Sequence, residues 1–481
     1  MGIKQGAPLS ILGGTSAAVA LAVVGCSSMA PRYDPPTLPV APLYADAGAE
    51  QGPAASAVGW RDYFSDLRLR TLIAQALDNN RDLRSAVLHV AEARAAYRIQ
   101  RSADWPAVGV DAIGIRTLVP AGTLTGESLL LSEYEVGIGE LSWEVDFWGR
   151  VRSLKESSLE SFLATDAARR AVTISLVRQV AQGYLSLREL DERLVLAHKT
   201  VASREESFRI FKRRFEVGST SKLDLTQVET LLTQAQSLTA QLEQQRAMQA
   251  HALTLLVGIP VDWAPEQGGF DDQSVLSELR AGLPSDLLIS RPDIAAAEHQ
   301  LKAAHDNIGA ARAAFFPRVT LTGAFGSASA ELDGLFGAGS RSWTFLPSIS
   351  LPIFDAGRNR ANLDLAKVRD DLAVASYEKT IQSAFRDVSD ALSARRWLTE
   401  QVRIQQNTLA AQTERARLAT LRYDNGAAAF LEVLDAQRDL LSAEQQLVQT
   451  RSALLSSRVS LYAALGGGSM EFVSVTASHT P

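Results

Sequence analysis

The chain repeats one stretch, Phe215-Glu216-Val217-Gly218 followed by Leu223-Asp224, as Tyr423-Asp424-Asn425-Gly426 followed by Leu431-Glu432. The second glycine lies 208 residues after the first, at 426 against 218. Copies this far apart are much longer than the units of the short solenoid repeats. The duplication therefore predicts one architecture built from two equivalent halves. The same offset relates two further pairs, Gly149-Arg150 with Gly357-Arg358 and Val257-Gly258 with Leu465-Gly466.

The composition excludes some function classes before any motif is considered. The 481 residues carry a net charge of −6, with 21% charged residues of both signs, so no nucleic-acid surface is expected. Beyond the N-terminus the sequence has no apolar run long enough for a membrane-spanning helix.

The N-terminus has the pattern of an export signal. Lys4 precedes an apolar stretch from Ile11 to Val24, which predicts a signal peptide over residues 1–25. A small residue before Cys26 resembles the bacterial lipoprotein cleavage box, so we expect Cys26 to be lipidated rather than a packing residue. Ser27, rather than Asp, follows Cys26, and this resembles bacterial lipoproteins that are sorted to the outer membrane. Residues 26–59, rich in proline, are predicted to be a lipid-anchored extended linker.

Predicted helices longer than those of ordinary globular proteins make up most of the remaining chain. Residues 150–217 and 358–425 form two runs of 68 residues without proline. At about 1.5 Å per residue each could extend for roughly 100 Å as a helix. Shorter runs, also predicted to be helical, precede and follow them in each half: Asp66–Trp105, Ser219–Val257, Ser285–Phe316 and Ala427–Leu465.

Heptad spacing predicts that these helices pack side by side. Leu434, Leu441, Val448 and Leu455 recur every seventh residue, and Val228, Leu231, Ala235, Leu238 and Leu242 step by three and four. A strict seven-residue period keeps one seam facing a neighbouring helix. Helices alone would leave a long soluble coiled coil as the alternative.

Two segments change from a period of seven to a period of two. In the segment 107–147, Tyr134, Val136 and Ile138 alternate with polar residues or glycine, and the phase then shifts to Leu141, Trp143 and Val145. A bulge or a membrane boundary would produce this shift. The segment 318–355 alternates similarly. Each segment predicts a β-hairpin, either packed on a helix or inserted in an outer-membrane barrel.

Four strands per chain predict oligomerisation if the strands lie in the membrane. The smallest barrels have about eight strands, and an open sheet edge in lipid would leave backbone groups unsatisfied. Two copies would give a filled barrel, whereas three would give twelve strands and a lumen. The sequence favours three without excluding two.

The domain organisation follows from these patterns. We expect a first structural repeat over 60–258, a linker over 259–284, a second repeat over 285–466 and a C-terminal tail over 467–481. In the linker region and beyond it lies a further motif: Leu283-Pro284-Ser285-Asp286, Arg291-Pro292-Asp293-Ile294, Glu298, Ile308-Gly309 and Phe316-Pro317.

This motif resembles the signature of TolC-like outer membrane efflux proteins, in the lipoprotein branch that includes NodT. The resemblance covers essentially the whole mature chain. It implies an α+β membrane protein and a homotrimer, with a long-helix α-barrel continuous with a transmembrane β-barrel and embedded in outer-membrane lipid. The implied partners are a periplasmic adaptor and an inner-membrane pump of the resistance-nodulation-division type. Ser290, by its position in the motif, is expected to be a helix N-cap, with Pro292 and Asp293 in the first turn.

The resemblance also assigns a docking role to the two helix turns. In similar proteins such turns meet the adaptor. Gly218 and Gly426 also suit left-handed helix caps, and Ser221 with Asp224 resembles a capping box, so a purely structural role is the alternative. The expected docking residues are Val217, Gly218, Ser219 and Thr220 in the first turn and Asn425, Gly426 and Ala427 in the second.

By the same resemblance, the residues beyond the second turn form a periplasmic gate. Leu431 and Asp435 match positions that narrow the channel, and Asp435 interrupts an otherwise apolar face of Leu431, Leu434 and Leu441. Some members have an arginine where this chain has Ala428, so part of the contact network is missing or rebuilt. A solvated helix pair of Asp435 and Arg438 is the alternative. The expected gate residues are Tyr423, Leu431, Glu432, Asp435 and Arg438.

Other function classes have weaker support. The six histidines are scattered, and His299 and His305 are six apart rather than at the i, i+4 spacing of a helical zinc pair. No enzyme, cofactor or metal site is therefore expected. A periplasmic adaptor or scaffold would share the long helices and the lipid anchor, but the paired period-two segments disfavour it.

Overall fold

The computed structural model describes residues 28–45, 52–122, 127–265, 275 and 279–471. The predicted signal peptide, Cys26 and the end of the C-terminal tail lie outside these ranges. Among the described residues, no helix is both long and apolar enough to cross a membrane.

Helices and strands follow the order expected for two related halves, helices then a hairpin then a long and a shorter helix. The elements are α1 (Trp60–Tyr63), α2 (Leu67–Asn79), α3 (Arg81–Ser102), β1 (Val108–Val119), β2 (Leu129–Val145), α4 (Arg150–Glu216), α5 (Lys222–Val257), α6 (Leu287–Ser290), α7 (Pro292–Ala313), β3 (Arg318–Ser329), β4 (Arg341–Ser350), α8 (Arg358–Asp424) and α9 (Phe430–Ala464), with 3-10 turns at Ala55–Ala57 and Pro284–Asp286.

The chain forms two compact units. The strand unit comprises Met1–Thr37, Val90–Thr165 and Ala297–Tyr377. The tip unit comprises Leu38–His89, Asp166–Ala296 and Glu378–Pro481.

The two long helices are each 67 residues, and each begins where the sequence predicted and ends one residue sooner. Both begin directly after a glycine with positive φ, Gly149 at 71° and Gly357 at 84°. A helix of this length is stabilised mainly by packing along its sides rather than by propensity.

The predicted run Asp66–Trp105 is wrong as a single helix, because it breaks at Asn80. Asn80 has extended backbone angles, φ −63° and ψ 131°, and ends α2. Its Oδ1 accepts from the backbone N–H of Leu83 at 2.9 Å, and its Nδ2 donates to the carbonyl of Leu256 at 2.8 Å. Asparagine competes with helical hydrogen bonding in this way, so it caps α3 and ties it to the end of α5.

The run Ser285–Phe316 is also interrupted, at Arg291. The residue before a proline is disfavoured in helical conformation, and Arg291 takes φ −96° and ψ 116° before Pro292. Ser290 is therefore the last residue of α6 and not an N-cap, so that prediction is wrong. Pro292 does begin α7, with Asp293 in its first turn. The Arg291 guanidinium binds the Asp293 carboxylate at 2.6 and 3.0 Å.

The strands form one antiparallel sheet in the order β1-β2-β3-β4, so both predicted hairpins are confirmed. Between β2 and β3 the register shifts where Glu140 pairs with Gly323 and Trp143 pairs with Leu321. A step of three residues on β2, from Glu140 to Trp143, therefore spans a step of two residues on β3. The phase shift in the sequence is a β-bulge.

The register separates the sheet into an apolar face and a polar face. Val110, Ile138, Phe325 and Trp343 form one row across all four strands, and each is more than half exposed. The next row, on the opposite face, consists of small residues. Those residues are Gly109, Gly139, Ala324 and Thr344.

In the tip unit, the predicted heptad residues lie in the helix interfaces. Leu242 joins Leu190 and Leu194 in one buried cluster, which packs α5 against α4. Val228 and Leu434 join Phe211 and Leu225 in another, which brings α4, α5 and α9 together. Val448 and Leu455 are also buried.

Candidate functional site

Each long helix ends in the same glycine turn. We call residues 217–220 the first tip and residues 425–427 the second tip. In the first, Gly218 donates to the Phe215 carbonyl at 3.0 Å and Ser219 to the Arg214 carbonyl at 2.8 Å. The second repeats this pattern: Gly426 donates to the Tyr423 carbonyl at 2.9 Å and Ala427 to the Arg422 carbonyl at 2.8 Å. This pair of bonds is the Schellman motif that ends many helices.

Glycine is needed at the tips for its backbone conformation rather than for space. Gly218 has φ 77° and Gly426 has φ 71°, which are left-handed angles. A Cβ added at either position would meet no atom within 4 Å. Both tips therefore present an open surface, and Val217 is 64% exposed.

The two tips differ in how the next helix begins. At the first, the Ser221 hydroxyl accepts from the N–H of Asp224 at 3.0 Å, and the Asp224 carboxylate accepts from the N–H of Ser221 at 3.1 Å. The predicted capping box is thus present, and the hydrogen bonds from Ser221 lower the pKa of Asp224. At the second, the N-cap is Ala429, which makes no capping bond. A missing cap is typically worth about 1 kcal/mol.

An arginine links the two helices at the second tip without capping α9. Arg422 Nη1 donates to the Glu432 carboxylate at 3.0 Å, and its Nη2 donates to the carbonyl of Ala427 at 3.3 Å. Both contacts bridge the end of α8 and the start of α9. Arg422 is the counterpart, 208 residues on, of Arg214 in the first copy.

Arg214 links the two hairpins. Its Nη1 donates to the Tyr423 hydroxyl at 2.5 Å. The Tyr423 ring lies 4.9 Å from the ring of Phe430, which in turn lies 4.5 Å from Phe211. Neither Arg214 nor Phe430 was predicted from the sequence. Phe430 could have been noticed as an aromatic residue where the first copy has Lys222.

Leu431, Asp435 and Arg438 lie along one accessible stripe of α9. Leu431 is 45% exposed, whereas Leu434 is 1% exposed. The expected apolar row of Leu431 with Leu434 is therefore wrong, because Leu434 turns into the helix interface. Leu431, Asp435 and Arg438 instead follow the i, i+4, i+7 spacing of a single helix face.

The charged residues of this stripe form a chain of ion pairs. Arg438 lies 3.3 Å from Asp435 and 2.9 Å from Asp439, and Arg415 on α8 lies 2.6 Å from Asp439. Hydrogen bonds from Arg415 and then Arg438 lower the pKa of the Asp439 carboxyl. All four side chains are at least 30% exposed, so these pairs add little stability.

The five expected gate residues thus do not share one network. Asp435 and Arg438 are in contact, whereas Glu432 pairs with Arg422 and Tyr423 with Arg214. Asp439 and Arg415 complete the ion pairs and were not identified from the sequence. The first copy has uncharged residues at the positions equivalent to Asp435, Arg438 and Asp439, which are Gln227, Thr230 and Leu231.

A buried arginine connects α4 to α9. Arg204 on α4 is 3% exposed, and burial lowers its pKa. Its Nη2 donates to the Leu434 carbonyl at 3.5 Å, and Nη1 has no hydrogen-bond partner within the described part of the chain. Leu434 immediately precedes Asp435. Movement of α9 would therefore change the environment of a charge that is incompletely satisfied here.

Nothing in the described ranges resembles a metal centre. Within them, no group of three or more His, Cys, Asp or Glu side chains is arranged to hold an ion. The polar groups at the tips form caps, ion pairs and links between helices.

Comparison with known proteins identifies the family. A model of the outer membrane efflux protein family matches residues 72–259 and again 283–467. The chain belongs to the outer membrane efflux protein family. The toluene efflux pump outer membrane protein TtgC of Pseudomonas putida is 44% identical over 466 residues, covering 94% of this chain and 95% of that protein. Outer membrane protein OprJ of Pseudomonas aeruginosa is 42% identical over 459 residues, covering 95% and 96%.

A solved structure gives the same result for the fold. The open state of the Neisseria gonorrhoeae MtrE outer membrane channel superposes with a TM-score of 0.84 at 38% identity, covering 92% of this efflux protein and 98% of that chain. The two family matches begin 211 residues apart, at 72 and 283, and end 208 apart, at 259 and 467. The duplication is therefore a property of the family pattern itself.

Membership in this family indicates the assembly that the strands and helices form. The efflux protein is a trimeric outer membrane channel, in which a helical barrel continues into a β-barrel. It is the outer-membrane component of a tripartite efflux system and a transport duct rather than an enzyme. Of the two oligomers that the sequence left open, the trimer is the one adopted, and its twelve strands close the edges at β1 and β4.

Proposed function

We propose that this efflux protein is a passive duct for drugs or other small molecules, delivered by a pump of the resistance-nodulation-division type through a periplasmic adaptor. The adaptor docks on the first and second tips. Relatives at 44% identity support this class of cargo, since they are named for efflux of toluene and of antibiotics.

The pair of matching tips is the observation that carries this proposal. Both are exposed, both end a helix of 67 residues, and both use the same glycine turn. In a trimer they would give six equivalent helix ends in one ring. A ring of repeated backbone turns suits a partner that binds by helical hairpins arranged with the same symmetry.

Pump-dependent export tests the proposal. In a strain that lacks its own outer-membrane channel, expression of this protein with a resistance-nodulation-division pump and its adaptor is expected to restore drug resistance. The same strain without the adaptor should remain sensitive, because a passive duct needs a delivered substrate. Equal resistance with and without the adaptor would contradict the proposed partnership.

We further propose that Leu431 and Asp435 narrow the periplasmic entrance. Their accessible stripe on α9 is left uncovered by its own chain. Three-fold symmetry would bring three copies of each side chain around one axis, with Leu431 as an apolar constriction and Asp435 as a ring of carboxylates. Like charges held close oppose one another, and Arg438 offsets this repulsion from 3.3 Å away. The ring would therefore admit cations and water more readily than anions.

We also propose that Cys26 carries the lipid anchor. It lies outside the described residues, but the chain two residues later supports the assignment. A Cβ built on Gly149 would lie 2.8 Å from the Cα of Ser28, and Arg312 Nη1 donates to the Met29 carbonyl at 3.2 Å. Gly149 follows the end of β2 by four residues, 149 against 145. Ser28, where the described chain begins, therefore lies beside the end of the sheet to which the helices attach.

Replacement of the anchor is expected to change processing more than assembly. Cys26→Ser should abolish acylation, and intact mass should show the loss of the lipid while the trimer persists, because the barrel holds the protein in the membrane independently. Ser28→Ala is the matched control and should remain lipidated. An unmodified Cys26 in the mature wild-type protein would exclude the anchor without affecting the duct proposal.

A further inference from the structure

Charged residues are divided unequally between the two faces of the sheet. By register, the polar face carries Asp111, Glu133, Glu135, Glu144 and Arg318. The apolar face carries Arg116 and Arg341. A barrel in lipid turns its apolar face outward. The outward face therefore has two arginines where a membrane-facing surface should have no charge.

Both arginines lie at the loop end of the sheet. The helices attach at the other end, because β2 leads to α4 and β4 leads to α8. The large periplasmic part of the protein is helical, so the loop end is the extracellular end. Arg116 lies three residues before the end of β1, and Arg341 is the first residue of β4.

Each arginine lies eight residues from an apolar residue near the opposite end of its own strand. On β1, Arg116 follows Val108 by eight residues on the same face, and on β4, Arg341 precedes Ile349 by eight. Eight residues cover about 27 Å of strand, or roughly 20 Å of bilayer at the tilt usual for such barrels. This is close to the height of an outward apolar band, about 25 Å. Arg116 and Arg341 therefore lie near its outer end.

The apolar face of β3 ends where this strand pairs with Arg341. On β3 the apolar face passes from Phe325 to Ser327, and Ser327 is paired with Arg341. The Arg341 guanidinium lies 5.0 Å from the centre of the Phe325 ring. Phe325 is 53% exposed and Trp343 is 73% exposed, so the aromatic residues end where the charge begins.

We propose that Arg116 and Arg341 bind the phosphates of lipid headgroups in the outer leaflet of the outer membrane. Guanidinium matches phosphate oxygens with two parallel hydrogen bonds, and an aromatic face beneath it favours a fixed orientation. The phosphorylated lipid A of lipopolysaccharide supplies such headgroups at this depth. Because β1 and β4 are the sheet edges, closure of the trimer places Arg341 of one chain on the strand that pairs with β1 of the next.

Lipid retention tests this site directly. Purified trimers in detergent would be incubated with lipid A or with its dephosphorylated form, and bound lipid would be counted by native mass spectrometry. We expect the wild type to retain the phosphorylated form about tenfold better, and the Arg116→Gln, Arg341→Gln double variant to lose this preference. Arg318→Gln is the matched control, since it removes the same charge from the polar face, and it should behave as the wild type.

Three results would overturn the site. They are equal retention of both lipids by the wild type, an undiminished preference in the double variant, and displacement of lipid A by millimolar inorganic phosphate, which would indicate a site for free anions. Trimer yield by size-exclusion chromatography guards against misfolding. If the double variant assembles poorly, each single variant is measured instead and should show a partial loss.

Discussion

Replacing Leu431 and Asp435 together by alanine is expected to raise single-channel conductance severalfold and to increase antibiotic leakage. The double change removes the apolar constriction and the carboxylate ring that we place at the entrance. It should not reduce trimer yield, since Leu431 is 45% exposed and the Asp435–Arg438 pair is a surface ion pair. Planar-bilayer recordings of purified trimers measure the effect.

The duplication provides a matched control for the gate. Leu223 and Gln227 are the counterparts of Leu431 and Asp435 in the first copy, and Leu223 is 67% exposed. Alanine at these two positions removes similar side chains from the other hairpin. If the second copy alone forms the entrance, conductance of this control should stay near that of the wild type. Equal increases in both variants, or no change in correctly assembled Leu431→Ala, Asp435→Ala trimers, would place the constriction elsewhere.

Ion selectivity separates the two parts of the gate. Asp435→Asn alone keeps the side-chain volume and removes the charge, so it should lower the preference for cations with little change in conductance. Leu431→Ala alone should raise the conductance with little change in the preference for cations. The two effects separate because Leu431 would set the width of the constriction and Asp435 its electrostatic potential.

The long elements were predictable because their signals are local. Two runs without proline became α4 and α8, and a single change of phase near Leu141 became the bulge in β2. The glycines at 218 and 426 marked both tips, since left-handed angles are costly for other residues. Each of these signals depends on residues that are near one another in the chain.

The misses depend on contacts that the sequence does not bring together. Asn80 breaks a helix partly because its amide reaches Leu256 at the end of α5. Arg415 and Asp439 pair across the second tip, and Arg214 reaches Tyr423 in the other half of the chain. The predicted apolar face placed Leu434 beside Leu431, whereas Leu434 packs against Phe211 in a buried cluster. Such pairings depend on how the hairpins pack, which no local pattern specifies.

A tryptophan at Ala427 is expected to weaken adaptor capture by roughly tenfold while leaving the protein folded. Ala427 is exposed beyond Gly426, and its backbone N–H already makes the Schellman bond to Arg422, so the new side chain would extend into solvent. A surface change of this kind usually alters stability by less than about 0.5 kcal/mol, or about 2 °C in melting temperature for a domain of ordinary size. A bulky group between the partners, in contrast, would separate surfaces that must meet closely.

Capture and stability must be measured on the same trimers to decide between docking and structure. Ala410→Trp is the matched control, because Ala410 is an exposed alanine on α8 well away from the tip. It should lower neither adaptor binding, measured by surface plasmon resonance, nor the melting temperature. Gly426→Ala adds the opposite case: it strains the left-handed turn without adding bulk, so it should reduce stability and capture together. If Ala427→Trp also reduced both in parallel, the tip would be a helix cap and the adaptor would bind elsewhere.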